Sequence, residues 1–554
     1  MKTQLLLRFL SILFCLFVYQ SVFGQTDKPV QEASRLSGNF QSTASFFIPD
    51  SAIGAVGLPQ YDRQLYGADA WMQLNYSNWG FDLGVRFDLF NNSNLLNPNG
   101  SYTAQGIGRW FIKKKIKKLG LSAGYLYDQI GSGIIFRAYE ARGLAIDNAL
   151  YGLRATYDIN DNWRIKAFTG LQKRQFATYS AVIKGISVDG FVQPKEEGSK
   201  WSLAPGLGIV GRTLDDQTVN TVVNTIATYT PVDSIGARYN TFGMTIYNTL
   251  TAGDFSWYVE GAYKTPEQYF DPFAIKTNRD SSTSVGKLDF SNGTVFYTSL
   301  GYAGNGLGIN LDFKRTENFT FRVDPFETGN QGYLNYLPAL TRINTYRLTA
   351  YYNAAVQELG ELAFQGDITY AVSRKLRFNF NISYINNLEN ELLYREYYFE
   401  TFYKYKRKWT LSGGLQIQNY NQEVYEVKPQ VPIVKTVTPF AEFLYKFDRK
   451  KSIRVETQVM LTDQDFGNWV YGLVEFNIAP NWSFSVSEMY NFSPTSRTDG
   501  EALSYPRVDV FYTHGANRFS LSFVKQVQGI VCAGGVCRLE PSFSGVRLSV
   551  NSSF

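Results

Sequence analysis

Polar and apolar residues alternate with a period of two along nearly the whole chain, in segments about ten residues long. In 451 to 461, Ile453, Val455, Val459 and Leu461 share one face with Thr457, and Ser452, Arg454, Glu456 and Gln458 share the other. In 376 to 384, Leu376, Phe378, Phe380, Ile382 and Tyr384 oppose Arg377, Asn379, Asn381 and Ser383, and Phe81, Leu83, Val85 and Phe87 oppose Asp82, Gly84, Arg86 and Asp88. Successive side chains of a strand point to opposite faces, so this is the pattern of a half-buried β-strand, and helical periodicity is nearly absent.

Strand length and the second face decide what kind of β-structure this is. Strands of soluble sandwiches run nearer five or six residues. About ten residues at a tilt of about 45° cross a hydrocarbon core. The second face carries Arg, Glu, Asp, Gln and Asn, which no dry sandwich core accepts on strand after strand. A closed barrel with lipid outside and a polar lumen accepts both faces and leaves no unpaired edge. The sequence therefore predicts an all-β, transmembrane antiparallel β-barrel of about 24 strands, within a range of 22 to 26. The count is weakest between 212 and 345.

The amino terminus has the form of a secretory signal peptide: Lys2 and Arg8, an apolar stretch from about Phe9 to Tyr19, then small Val22 and Gly24 before a cleavage point. The expected organisation is a signal peptide over 1–24, a short periplasmic segment over 25–34 and a barrel over 35–554. Phe14 and Leu16 flank Cys15, which argues against acylation there. Aromatic residues make up 16% of the chain, high for a soluble protein, and the net charge of +6 is too small and too dispersed for a nucleic-acid binder.

Short turns at 76 to 80, 158 to 161, 447 to 452 and 478 to 481 contrast with longer polar stretches at 89 to 102, 172 to 201, 421 to 435 and 492 to 505. Short turns on one side and long loops on the other are an outer-membrane pattern. Several short turns are basic, among them Lys113 to Lys118 and Lys404 to Lys408. They read either as ordinary solvated turns or as contacts to anionic phospholipid headgroups. Trp163, Trp409, Trp469 and Trp482 lie near strand ends, where an aromatic girdle is expected.

The chain closes on Val546, Leu548, Val550, Ser552 and Phe554, alternating with Arg547, Ser549, Asn551 and Ser553. The terminal Phe554 resembles the insertion signal of bacterial outer-membrane barrels, and the whole mature chain resembles that broad class and, more loosely, large uncharacterised barrels of Bacteroidota. The resemblance implies a place in the cell outer membrane, contact with outer-membrane lipids, and recognition of Phe554 by the outer-membrane insertion machinery. The final strand then pairs with the first, expected over Leu36 to Phe46. Large siderophore and glycan importers of this class carry an N-terminal plug domain. About ten residues are left for one here, so none is expected.

The chemistry of catalysis is not visible. His514, the only histidine, falls in a turn with no trusted acid and nucleophile beside it, and no zinc or calcium pattern occurs. The expectation is a non-enzyme with no catalytic, cofactor-binding or metal-binding residues and no cofactor. Cys532 and Cys537, separated by four residues that include Gly534 and Gly535, are expected to form a structural disulfide closing the last external loop.

The stretch 131 to 150 combines flexible Gly131 and Gly133, apolar Ile134, Ile135 and Phe136, and charged Arg137, Glu140 and Arg142. It reads first as an extra hairpin, and otherwise as a loop folded into the lumen. In the second case Arg137, Glu140 and Arg142 form the pore constriction. The expected function is a porin-like channel for small solutes. The alternative is a non-enzymatic barrel subunit of a secretion, insertion or surface-display assembly, with other envelope proteins docking on long loops at 212 to 240, 264 to 292 and 314 to 343.

Overall fold

A computed structural model describes residues 34–194, 200–278, 280–495, 501–533 and 536–554. The expected signal peptide lies outside the described residues. The dominant element is one closed sheet of 24 antiparallel strands. Each strand pairs with its sequence neighbours, and the last, Phe543–Ser553, pairs with the first, Arg35–Phe47. Closure leaves no open edge, and no helix among the described residues is long and apolar enough to cross a membrane.

The alternation read from the sequence sets the two faces. Val455, Phe380, Phe364 and Leu548 stand exposed outward, while Glu456, Gln458, Asn381 and Ser383 are buried inside. Short turns gather at one end, which also holds both ends of the barrel: Arg35 lies opposite Ser77, beside the turn that joins Tyr66–Asn78 to Phe81–Ser93. Exposed aromatic rings ring this end on the outer face, among them Tyr157, Trp163, Trp201, Phe255, Tyr405, Phe447 and Trp482. A second set near the other end includes Phe46, Tyr66, Tyr263 and Phe492. Trp482 and Phe492 are about ten residues apart on one strand. That is roughly 33 Å along the chain and about 25 Å of height at a tilt of about 40°, the height of a lipid-facing band.

Three sequence expectations change. Trp469 is not part of the girdle. It points inward, wholly buried, with Tyr351 and Tyr505 rings at 5.9 and 6.0 Å. The stretch 172 to 201 is not one loop, because it contains the barrel strand Ala177–Gly190. The segment 264 to 292 is not a loop either. Phe255–Thr277 and Thr283–Gly304 are barrel strands that continue past their outer neighbours, whose pairing stops at Lys264 and starts again at Thr294. The resulting ribbon projects from the long-loop end.

A helix, Asp216–Ile226, packs against that ribbon. Asp215 caps it by accepting from the backbone N–H of Gln217, and a hydrogen bond from Thr218 holds the Asp215 carboxyl below its ordinary value. Val219, Val222 and Ile226 share one helical face and are buried, Val222 and Ile226 in a cluster with Tyr229 and Leu288.

At the seam, Gly38 and Phe554 exchange backbone hydrogen bonds of 2.8 and 3.0 Å. The Phe554 ring lies over Gly38, where any Cβ would collide with it. An aromatic ring thus covers a glycine that offers lipid no side chain of its own. Gly38→Val and deletion of Phe554 are both expected to lower the folded fraction, the deletion by up to about 1.5 to 3 kcal/mol of apolar burial. Gel mobility before and after heating reads this directly, and normal folded levels for both would contradict the closure described.

Candidate functional site: the filled lumen

The lumen is occupied by two internal segments that enter from the long-loop end. One runs over residues 127–149. The other, 318–359, joins the adjacent strands Leu307–Glu317 and Gly360–Ala371. The first is not an added barrel hairpin, as the sequence favoured. Its only pairings are short and lie inside: Asp128–Ile130 with Phe136–Ala138, and Glu140–Ala141 with Ile146–Asp147. The second replaces the expected partner-docking loop at 314 to 343. Its Phe319, Phe321, Val323, Leu334 and Leu337 are buried together with Ile134, Ile135 and Phe136 of the first segment.

Irregular backbone buried in this way must find hydrogen-bond partners. The inward polar side chains of the wall supply them. Lys264 Nζ donates to the Thr320 carbonyl and an Arg212 nitrogen to the Arg322 carbonyl, both at 2.6 Å. Gln172 donates to the Tyr333 carbonyl, Gln416 to Thr349 at 2.9 Å and Gln418 to Tyr352 at 2.8 Å. Gln458 Oε1 accepts from the Leu348 N–H at 2.6 Å. Glu260 accepts from the Ser132 N–H and from Thr245. The two segments also join one another: Arg137 N–H donates to Leu334 and Tyr336 N–H to Gly133, at 2.8 and 2.9 Å.

The three residues expected at a constriction separate into two roles. The Arg137 guanidinium sits over the rings of Tyr139 and Tyr336, at 4.6 and 4.1 Å, and ties the two segments together. Glu140 and Arg142 belong to a separate charge cluster in the lumen. There Arg86 donates to Asp88, Glu140 and Asp147, with 2.7 Å contacts to each, and Lys173 pairs with Asp147. Arg142 donates to Glu140 at 2.7 Å and to Gln41 at 2.9 Å, and lies over Trp71 at 5.1 Å. Gly108 leaves the space that the Asp88 carboxylate fills. Three cations meet three carboxylates in direct pairs, and a fourth cation, Arg109, stands beside them over the ring of Tyr127, whose hydroxyl bonds Glu140 and Asp147.

Above this cluster a pocket opens toward the long-loop end, lined by Trp71, Phe90, Leu95, Phe176, Tyr179 and Gln331. Below it a polar cavity at the short-turn end is lined by Asn39, Gln41, Thr513, Arg518 and Asn551. Arg142 lines both spaces. Further cavities at the short-turn end are bounded by Lys115, Arg154, Arg164, Lys166 and Asp189, with Asp128 and Gly131 in their walls. The lumen is therefore filled toward the long loops and open toward the short turns.

His514 is exposed at a short turn, and no group of three or more His, Cys, Asp or Glu is placed to hold a metal among the described residues. Cys532 and Cys537 stand opposite each other in the small hairpin formed by Gly529–Ala533 and Val536–Glu540. Arg538 of that hairpin donates to the carbonyls of Gly143 and Leu95, bringing it to the mouth of the upper pocket.

The filling segment 318–359 left little trace in the sequence. Its one usable signal was apolar residues, Phe319, Phe321, Val323, Leu337 and Leu348, inside a stretch without ten-residue alternation. Such residues in a non-strand stretch call for a burial site. Within the wall, Lys264, Glu267 and Arg212 form a buried ion triad with both contacts at 2.6 Å. Glu267→Ala strands two buried cations, and a loss of about 3 to 5 kcal/mol is expected. Limited proteolysis should cut 318–359 faster in this variant than in the wild type while the barrel stays heat-modifiable. Equal cutting would show that the triad does not hold the filling segment.

Among solved structures the chain is similar to the P pilus usher PapC translocation pore, at 10% identity and TM-score 0.40 over 94% of this chain and 99% of that one. It is also similar to the siderophore receptor PirA from Pseudomonas aeruginosa, at 9% identity and TM-score 0.38 over 96% and 81%. A third similarity is to OccAB4 from Acinetobacter baumannii, at 8% and 0.33 over 72% and 100%. No curated protein matches. Residues 1–554 match one family in full, and the chain belongs to it: the Family of unknown function (DUF6029).

Proposed function

We propose that the protein is an outer-membrane passage for small solutes that rests closed, with Glu140 and Arg142 at its constriction. The observation that carries this is the position of Arg142, one side chain that borders both the pocket at the long-loop end and the cavity at the short-turn end. Its partners Glu140, Gln41 and Trp71 give it alternatives to bridge or release, and the mixed, nearly balanced charges of the cluster predict weak ion selectivity. In this reading the long loops face outward, the short turns face the periplasm, and the basic turns meet anionic headgroups there. Phe554 serves insertion as well as closure, and a Cys532–Cys537 bond stiffens the hairpin at the pocket mouth.

Purified protein in a planar bilayer should give small or infrequent current steps, and Arg142→Ala should enlarge them or make them more frequent. Arg137→Ala should act differently, by loosening the contact between the two filling segments. If wild type, Arg142→Ala and Glu140→Gln are all folded and all silent, the passage reading fails.

A second reading rests on a different observation. The projecting ribbon and the loop beside it present Ile275, Val285 and Val232 at 65%, 71% and 94% exposure. A filled lumen with such an apolar crest fits a membrane-embedded subunit of an envelope assembly. Copurification at native expression separates the two: a stoichiometric partner lost on changing Ile275 and Val285 to Ser favours the subunit, and a lone barrel favours the passage.

A further inference from the structure

Two ionisable side chains stand on the outer face of the barrel, well inside the lipid-facing band. Lys184 lies on Ala177–Gly190, six residues from Gly190, which pairs with Trp163 of the aromatic ring at the short-turn end. Glu488 lies on Trp482–Pro494, six residues from Trp482 of the same ring. Six residues at a tilt of about 40° rise about 15 Å, so both side chains sit at about the same depth in a band about 25 Å tall. Arg315 and Arg395 also face outward, but they are eight and ten residues from the short-turn ends of their strands and so nearer the long-loop rim. Arg315 is moreover paired with Glu317 at 2.9 Å.

The charges of Lys184 and Glu488 are not met within the chain. Lys184 has no partner among the described residues. Its cross-strand neighbours are Thr169 and Gly211, so it projects from a low surface. Glu488 accepts from the Ser504 hydroxyl at 2.8 Å and the Tyr505 N–H at 3.1 Å, and no Lys or Arg among the described residues pairs with it. Its cross-strand neighbours are Gly472 and Pro506, and a Cβ at Gly472 would meet nothing within 4 Å. Val486 and Tyr490 stand on either side along the strand, both exposed. The carboxylate therefore lies in a shallow socket open to the bilayer. A charge on the lipid face is costly unless a partner meets it. Hydrocarbon tails offer none, whereas a side chain of opposite sign at the same depth does.

Within one copy the two cannot meet. Counted round the closed sheet, their strands are 13 steps apart one way and 11 the other, on nearly opposite sides. We infer that Lys184 of one copy pairs with Glu488 of a second copy of this chain, so that barrels associate side by side through unlike faces. Copies inserted the same way up hold the two side chains at matching depth. Because the two faces are nearly opposite, each contact leaves an unused Lys184 at one end and an unused Glu488 at the other. The assembly is a row and does not close into a dimer or trimer.

The test is energy transfer between donor-labelled and acceptor-labelled full-length protein in phosphatidylcholine liposomes, with gel mobility before and after heating confirming that each variant is folded. Wild type should transfer above the level set by random proximity at the same density. Lys184→Glu and Glu488→Lys should each weaken self-association about tenfold, because each sets like charges against one another. An equimolar mixture of these two variants should restore it, since every contact in an alternating row again joins opposite charges. If a reversed charge impairs folding, Lys184→Gln and Glu488→Gln replace them: each alone should associate weakly, and their mixture should form pairs that grow no further. Folded wild type that transfers only at the random level overturns the inference. So does transfer unchanged in either charge-reversed variant, or a mixture that restores nothing. Loss with Lys184→Glu alone would assign that lysine to a lipid phosphate instead.

Discussion

Buried backbone without a regular hydrogen-bond ladder is the constraint around which this barrel is organised. Residues 318–359 carry carbonyl and N–H groups into a lumen where they cannot all be solvated. The wall answers with Lys264, Arg212, Gln172, Gln416, Gln418 and Gln458, each aimed at a main-chain atom of that segment. The same side chains make the inner face polar. An inner face rich in Gln, Lys and Glu therefore need not line water. In the half toward the long loops it lines protein.

Where the filling segments present apolar side chains, the wall changes character to match. Tyr179, Ala181 and Ile183 point inward from Ala177–Gly190 and join Ile134, Ile135 and Phe321 in one cluster. Their strand neighbours Ser180 and Lys184 face outward and are exposed. Inside and outside are exchanged along this strand relative to most others, and for that reason its stretch read as a loop. The polar inner face returns lower down, where Lys166, Asp189 and Arg154 border open cavities.

What the sequence made legible follows from periodicity. The two-residue alternation gave the strands, their length, the barrel and close to its strand number, because each strand's faces are set by its own residues. The charged stretch inside the lumen was legible in part. Glu140 and Arg142 do meet, as an ion pair, and their stretch is both charged and unlike a strand. Arg137 lies elsewhere, because its position is fixed by Tyr336, far away in sequence. The filling segment stayed hidden for the same reason: its contacts are with residues such as Gln458, 110 positions from Leu348. No local pattern encodes such a partner.

The filling segment is held at both ends by neighbouring strands, since Glu317 and Gly360 face each other in the sheet. It is a closed tether rather than a detachable stopper. A plug at a chain terminus can be drawn out whole through the far opening; a loop anchored at two adjacent points on one rim can only fold back over that rim or rearrange where it lies. A pull from the short-turn side could therefore not remove it, and only a rearrangement at the long-loop mouth or within the lumen would clear the space it fills.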